Sequence, residues 1–122
     1  MTNQEFNEWF RRRTRAFGVK ILRFVESLPP TSSGRVIGYQ LGKAGTSVGA
    51  NFRAFTRGRS NNERYSKICI TVEEADESAY WLELSHDLKY GNPDLLKELA
   101  SENDEIIKVI SSIKNSLYTI GQ

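Results

Sequence analysis

The chain has 122 residues, of which 39% are hydrophobic, enough to fill one modest core but not two, so we expect a single domain over residues 1–122. A single cysteine, Cys69, excludes an intramolecular disulfide, and a single histidine, His86, leaves few thiolate or imidazole ligands for zinc, so we expect no metal and no cofactor. The net charge is +2, but residues 1–60 carry 11 Lys and Arg against 3 acids, whereas residues 61–122 carry 6 against 12. This polarity suits either pairing between the two halves or a basic face directed at a polyanion.

The first predicted helix covers residues 3–28 and begins at a capping box formed by Thr2 and Glu5. Pro29 and Pro30 end it, because proline lacks the N–H that the helix would need. The apolar positions that recur at helical spacing are Phe6, Phe10, Phe17, Ile21, Phe24 and Leu28. The N-terminal residues lack an apolar signal-peptide core, and no run of about 18 apolar residues occurs, which predicts a cytoplasmic protein without membrane contact.

The second predicted helix, over residues 33–57, is rich in glycine. Its nearest match to a phosphate-binding loop, Gly38 to Ala44, has neither the required glycine spacing nor a Ser or Thr after the lysine. At about 100° per residue the segment instead divides into an apolar stripe and a glycine stripe. The apolar stripe is Ile37, Leu41, Ala44, Val48, Phe52 and Phe55, and the glycine stripe is Gly38, Gly42, Gly45 and Gly49.

These glycines sacrifice about 3–4 kcal/mol of helix propensity, and close approach of another helix, in the same chain or in a second copy, would offset that loss. Ser47 and Asn51 share a further face of the same helix, and we assign them with the glycines to helix packing or a subunit interface. The alternative for this segment is a mobile, partly unwound stretch of chain.

The third predicted helix covers residues 61–90 and the fourth covers 93–119. Ser60 and Glu63 have capping-box spacing before the third helix. Its core stripe is predicted as Tyr65, Ile68, Val72, Ala75, Ala79, Leu82 and His86. Gly91 is predicted to be the left-handed residue that ends it, followed by Asn92 as the next N-cap and Pro93 as the first residue of the fourth helix. The fourth stripe is Leu96, Leu99, Asn103, Ile106, Ile110, Ile113, Leu117 and Ile120.

Short connections and the absence of any alternating pattern predict an all-α, antiparallel, up-down four-helix bundle. Asn103 interrupts the last apolar stripe, either as a buried residue that fixes the helix register or as an exposed one. The adjacent aromatics Tyr80 and Trp81 point about 100° apart and cannot both face one core, so one of them is expected at a subunit interface.

Two stretches of the chain resemble a known family. Ser47-Val-Gly-Ala-Asn51 is followed by Gly58-Arg59-Ser60 and then by CITVEEADESAYWLEL, residues 69–84. Together they resemble the bacterial four-helix bundle family that includes proteins encoded within intervening sequences of 23S ribosomal RNA genes and is related to the accessory protein of diversity-generating retroelements. The resemblance covers roughly Phe17 to Leu117.

The resemblance implies a homopentameric ring without established enzymatic activity. In the retroelement relative a basic surface engages nucleic acid and a reverse transcriptase, while the function of most members is unknown. Arg53-Ala54-Phe55 stands where an acidic residue is common in the family, and Arg64-Tyr65 replaces the usual Asp-Phe pair. Both changes make the surface more basic.

The leading hypothesis is a non-enzymatic, oligomeric nucleic-acid-binding accessory protein. The candidate phosphate contacts are Arg11, Arg12, Arg15, Lys43, Arg53, Arg57 and Arg59, and Arg13 belongs to the same basic run. The alternative is a protein-interaction scaffold in which these cations satisfy the acidic helices. Glu83 and His86 match the Glu-x-x-His spacing of di-iron bundles, but the chain has only one such motif, and we interpret His86 and Cys69 as structural residues.

Overall fold

The computed structural model contains four α-helices, and it describes the backbone of residues 1–121 and the side chains of residues 1–118. The helices are α1 (Asn3–Glu26), α2 (Ser32–Thr56), α3 (Asn61–Leu88) and α4 (Pro93–Gly121). Helix α1 packs against α2 and α4, and α3 packs against the same two helices. The chain is therefore an all-α four-helix bundle. None of the described helices is both long and apolar enough to span a membrane.

The starts of α1, α3 and α4 follow the predicted caps, whereas α2 begins at Ser32, one residue earlier than predicted, and is capped by Thr31. Thr2 and Glu5 form both hydrogen bonds of a capping box, and these bonds lower the pKa of Glu5. Ser60 caps α3, but the Glu63 carboxylate accepts a hydrogen bond from the backbone N–H of Arg59 at 2.7 Å rather than from Ser60. Asn92 Oδ1 accepts from the N–H groups of residues 94 and 95, each at 3.0 Å. Local sequence therefore fixes where the helices begin.

Three helix ends lie earlier than predicted, by two residues in α1 and α3 and by one residue in α2. The Ser27 hydroxyl donates to the carbonyl of Phe24 at 2.6 Å and accepts from the N–H of Asn92 at 2.9 Å, which ends α1 and ties it to the start of α4. Lys89 takes the left-handed conformation, with φ 58°, and thereby ends α3. The prediction that Gly91 is the residue ending the helix was wrong, although Gly91 also has positive φ within the turn.

The core lies along the bundle axis and contains the apolar stripes of α1, α2 and α4. On α2 all six predicted apolar residues are buried. On α4 Asn103 is also buried, and its Nδ2 donates to the carbonyl oxygen of Ala75 on α3 at 2.9 Å. Of the two roles open to Asn103, the structure therefore shows the buried one. The side chain of Ile120 lies outside the described residues.

The predicted core stripe of α3 was partly wrong. The buried residues are Ile68, Thr71, Ala75, Ser78, Leu82 and Ser85, so small polar residues occupy alternate core positions. The hydroxyls of Thr71, Ser78 and Ser85 each donate to the carbonyl four residues earlier, which satisfies them inside the helix. His86 is exposed at the end of the helix, 3.6 Å from Asp87. Because half of the buried residues of α3 are polar, the hydrophobicity pattern of the sequence does not show which face of this helix is buried.

Candidate nucleic-acid interface

The glycine stripe of α2 faces α1 of the same chain. A Cβ atom on Gly45 would lie 2.7 Å from two carbons of Ile21, and one on Gly49 would lie 3.2 Å from the carbonyl oxygen of Thr14. Gly38 faces Val25 at 3.3 Å, and Gly42 faces Leu22 at a looser 3.8 Å. The two backbones approach most closely near Gly49, because the Cβ-free position admits the backbone of α1. Glycines later in α2 therefore contact residues earlier in α1.

Gly49, the last glycine of this stripe, lines a groove between α1 and α2 with a volume of about 590 Å³. Five of its lining residues are arginines: Arg11, Arg12 and Arg15 from α1, and Arg53 and Arg57 from α2. The rest of the lining is Glu8, Thr14, Gly18, Val19, Leu22, Thr46, Gly49 and Ala50. The groove therefore has arginines on both of the helices that border it.

The groove is strongly cationic. Arg12 donates to Glu8 at 3.1 Å, but this pair is exposed and therefore weak. Within the described part of the chain, no acidic oxygen lies within 4.0 Å of the guanidinium groups of Arg11, Arg15, Arg53 or Arg57. Arg53 and Arg57 also border a second groove, between α2 and α3, that includes Lys67 and Glu63. Clustered cations without internal partners create a positive potential that attracts anions.

The structure places the two remaining predicted contacts elsewhere. Lys43 is exposed on α2 outside the groove lining, and its charge lowers the pKa of Glu74 on α3. That effect is outweighed by desolvation and by the charges of Glu77 and Glu73, so the pKa of Glu74 is raised overall. Arg59 lies in the connection between α2 and α3, also outside the lining.

Arg13 belongs to the opposite side of α1. Its guanidinium makes two hydrogen bonds to the Glu102 carboxylate of α4, at 2.7 and 2.9 Å, and lies 5.6 Å from the ring centre of Trp9. The bond to Glu102 raises the pKa of Arg13. Lys20 and Glu98 form a second ion pair between the same helices. These two cations therefore join α1 to α4.

The remaining packing or interface candidates lie on α2 and α3. Ser47 is half-buried and donates its hydroxyl to the Lys43 carbonyl at 2.7 Å, and Asn51 donates its amide to the Ser47 carbonyl at 2.9 Å. Tyr80 is exposed, whereas Trp81 is half-buried and donates its indole N–H to Glu77 at 3.3 Å. The two rings contact edge to face, with centroids 5.1 Å apart.

The Glu-x-x-His motif lies at the surface. Glu83 and His86 line a groove between α3 and α4 of about 560 Å³, together with Asp87, Lys97 and Asp104. In di-iron bundles this motif projects into the core, which is not its position here. Among the described residues, no three or more His, Cys, Asp or Glu side chains are grouped so that they could hold a metal ion.

The sequence reasoning missed the uncharged part of the α1–α2 groove. Val19 and Leu22 are apolar residues on α1 that lie off its core stripe, and both are nearly half exposed. Their position in the helical projection of α1 could have identified them. Gly18, Thr46 and Ala50 give no comparable signal, because small residues are common on any helix face.

The comparisons with known proteins agree with this fold. The family model described as 23S rRNA-intervening sequence protein matches residues 9–112. The chain belongs to this family. The match to the 23S rRNA-intervening sequence protein model includes every residue of the groove lining except Glu8.

One solved relative is a protein of unknown function from the S23 ribosomal protein family of Bacteroides thetaiotaomicron. It superposes with a TM-score of 0.81 and 28% sequence identity, over 89% of this chain and 97% of the other. A search of curated proteins gives no match. The solved relative of this 23S rRNA-intervening sequence protein therefore shares its four-helix fold.

Proposed function

We propose that this member of the 23S rRNA-intervening sequence family is a non-enzymatic, cytoplasmic accessory protein that binds nucleic acid in the α1–α2 groove. A single observation carries the proposal: five arginines line one groove, and four of them have no acidic oxygen within 4.0 Å among the described residues. Arginine without an internal acidic partner, at the surface of the protein, suits contact with phosphate oxygens.

The spacing of the arginines fits a phosphate backbone. Arg11 and Arg15 are four residues apart on α1, and so are Arg53 and Arg57 on α2, so each pair spans about 6 Å along its helix. Packed helix axes lie about 8–10 Å apart, so one strand lying over the groove can reach arginines of both helices. Such contacts position a strand without reading its bases, so we expect little sequence preference.

Binding across a salt series tests the proposal. Fluorescence anisotropy with a generic RNA and a generic DNA should show binding at low salt, with log K falling linearly against log salt as counterions are released. Four or five neutralised phosphates correspond to a slope of about −3 to −4.5. Absence of binding at 50 mM salt, or an affinity indifferent to salt, would overturn the proposal.

We also propose that the helices run antiparallel in an up-down order and that the bundles assemble as a homopentamer. The order of the contacts supports the first part: Gly38 faces Val25 while Gly49 faces Thr14. The exposed ring of Tyr80 on the outer side of α3 supports a subunit contact there. Light scattering after size exclusion measures the subunit number, and a strictly monomeric chain would contradict the assembly.

A protein-interaction scaffold is the second candidate function, because some cations of the first half satisfy acids of the second. Arg13 pairs with Glu102, Lys20 pairs with Glu98, and Lys43 acts on Glu74. A reverse transcriptase or another protein would be the partner. Affinity capture before and after nuclease treatment separates the two candidates: partners that survive nuclease support the scaffold, and partners lost with nuclease support nucleic-acid binding.

A further inference from the structure

The α1–α2 groove changes character along its length. Its arginines lie towards the N-terminal end of α1 and the C-terminal end of α2, whereas Val19 and Leu22 line it further along α1. The side chains of Val19 and Leu22 are 46% and 49% exposed, because both residues lie off the core face of α1. The cationic part of the α1–α2 groove therefore continues into an apolar surface on the same side of the bundle.

An exposed aromatic ring continues this surface on α2. Tyr39 precedes Arg57 by 18 residues, which is five helical turns, so the two project from the same side of α2. Thr46, Ala50 and Arg53 lie between them on that side and line the groove. Leu22 lies 3.8 Å from the Cβ position of Gly42, one turn beyond Tyr39. The tyrosine is 67% exposed, more than any other aromatic side chain described.

Cations followed by an exposed aromatic ring suit one form of nucleic acid. A strand whose bases are unpaired can place phosphates between the arginines and stack a base on an aromatic face, and each such stack contributes substantially to binding. In a duplex the bases are stacked on one another and present only their edges, so Tyr39 and Leu22 would have nothing flat to contact.

We propose that the groove takes single-stranded nucleic acid, with phosphates held by the arginines and an unpaired base stacked on Tyr39 beside Leu22. This inference rests on the proposed function and specifies its substrate class. From Arg57 to Tyr39 the surface runs about 27 Å along α2. A strand with the 3.4 Å spacing of duplex DNA would place about eight nucleotides along this length, and a more extended single strand places fewer.

The test compares the wild-type protein with Tyr39→Ala, Tyr39→Phe and the control Tyr118→Ala, on a 12-nucleotide single strand and on a duplex of the same length. We expect Tyr39→Ala to weaken single-strand binding at least about five-fold and to leave duplex binding within two-fold. Tyr39→Phe keeps the aromatic ring and should bind the single strand as tightly as the wild-type protein does. Tyr118→Ala removes another exposed tyrosine, 55% exposed on α4, and should change neither affinity.

Each other outcome overturns the inference in a recognisable way. If Tyr39→Ala leaves both affinities unchanged while the wild-type protein binds in a salt-dependent manner, the groove holds only phosphates, and the proposed function stands without the stacking. If it weakens both affinities equally, Tyr39 supports the surface rather than a base. If the wild-type protein binds neither probe at low salt, the proposed function itself fails.

Discussion

Gly45 lies directly against Ile21, so close that a methyl group on the glycine would be 2.7 Å from both Cγ atoms of the isoleucine. One turn away, the same methyl group on Gly42 would be 3.8 Å from Leu22, an ordinary van der Waals distance. Ile21 is fully buried, whereas Leu22 is half exposed and can move. The seam that holds α1 and α2 together is therefore tight at one glycine and loose at the next.

Alanine at these two glycines should have opposite effects on the free energy of unfolding. Gly45→Ala gains helix propensity of about 1 kcal/mol but overpacks the core against Ile21, so we expect a net loss of about 1–2 kcal/mol. Gly42→Ala gains the propensity without a clash and should stabilise the fold by up to about 1 kcal/mol. Urea denaturation followed by circular dichroism measures both changes, and equal stabilisation by the two variants would refute the close contact.

Much of the bundle could be predicted from the sequence, because caps and apolar stripes are local signals. Thr2, Ser60 and Asn92 each begin a helix as predicted. The core face of α3 could not be predicted from hydrophobicity. Its Thr71, Ser78 and Ser85 are buried through hydrogen bonds to their own helix, and such bonds leave no trace in an apolar pattern.

The candidate site was predictable only in part. A helical projection puts Arg53 and Arg57 on the same side as Lys43, but it does not say which neighbouring helix each one meets. In the structure Lys43 lies outside the groove, while Arg13 pairs with Glu102, 89 residues away in sequence. Tertiary packing determines which cations have an acidic partner, and the sequence of one helix does not show which residues of another helix it will meet.

The ion pair between Arg13 of α1 and Glu102 of α4 should stabilise the fold more than the exposed pair of Arg12 and Glu8. Arg13 makes two hydrogen bonds to Glu102 and stacks near Trp9, so Arg13→Gln should lower the free energy of unfolding by about 1–2 kcal/mol. Arg12→Gln removes the same charge from an exposed pair and should change it by less than about 0.5 kcal/mol. Equal effects in urea denaturation would show that the α4 contact adds nothing.

Glu74 should make the fold less stable as the pH rises. Desolvation, together with the charges of Glu77 and Glu73, raises its pKa in the folded state despite Lys43, so the folded protein prefers the protonated carboxyl. Stability is then present below the unfolded pKa of about 4.3 and is lost as the pH rises through the folded pKa. Glu74→Gln should therefore raise the melting temperature by about 1–3 °C at pH 7 and leave it unchanged at pH 4.

The control for this prediction is Glu83→Gln, which removes the same charge at an exposed position of the same helix. Its melting temperature should follow that of the wild-type protein at both values of pH. A melting temperature for Glu74→Gln at pH 7 equal to or below that of the wild-type protein would mean that Lys43 stabilises the ionised carboxylate more than burial penalises it.

The most direct test of the central claim is a salt series of RNA binding by two triple variants with the same net charge. Arg15→Gln/Arg53→Gln/Arg57→Gln removes three arginines of the groove, whereas Lys89→Gln/Lys97→Gln/Lys108→Gln removes three exposed lysines from α4 and its preceding turn. The groove variant should bind at least ten-fold more weakly at 50 mM salt, and the slope of log K against log salt should shrink by about 2–3. The lysine variant should keep the wild-type slope. Equal losses in the two variants would show that binding follows overall charge rather than the α1–α2 groove, and would contradict the account.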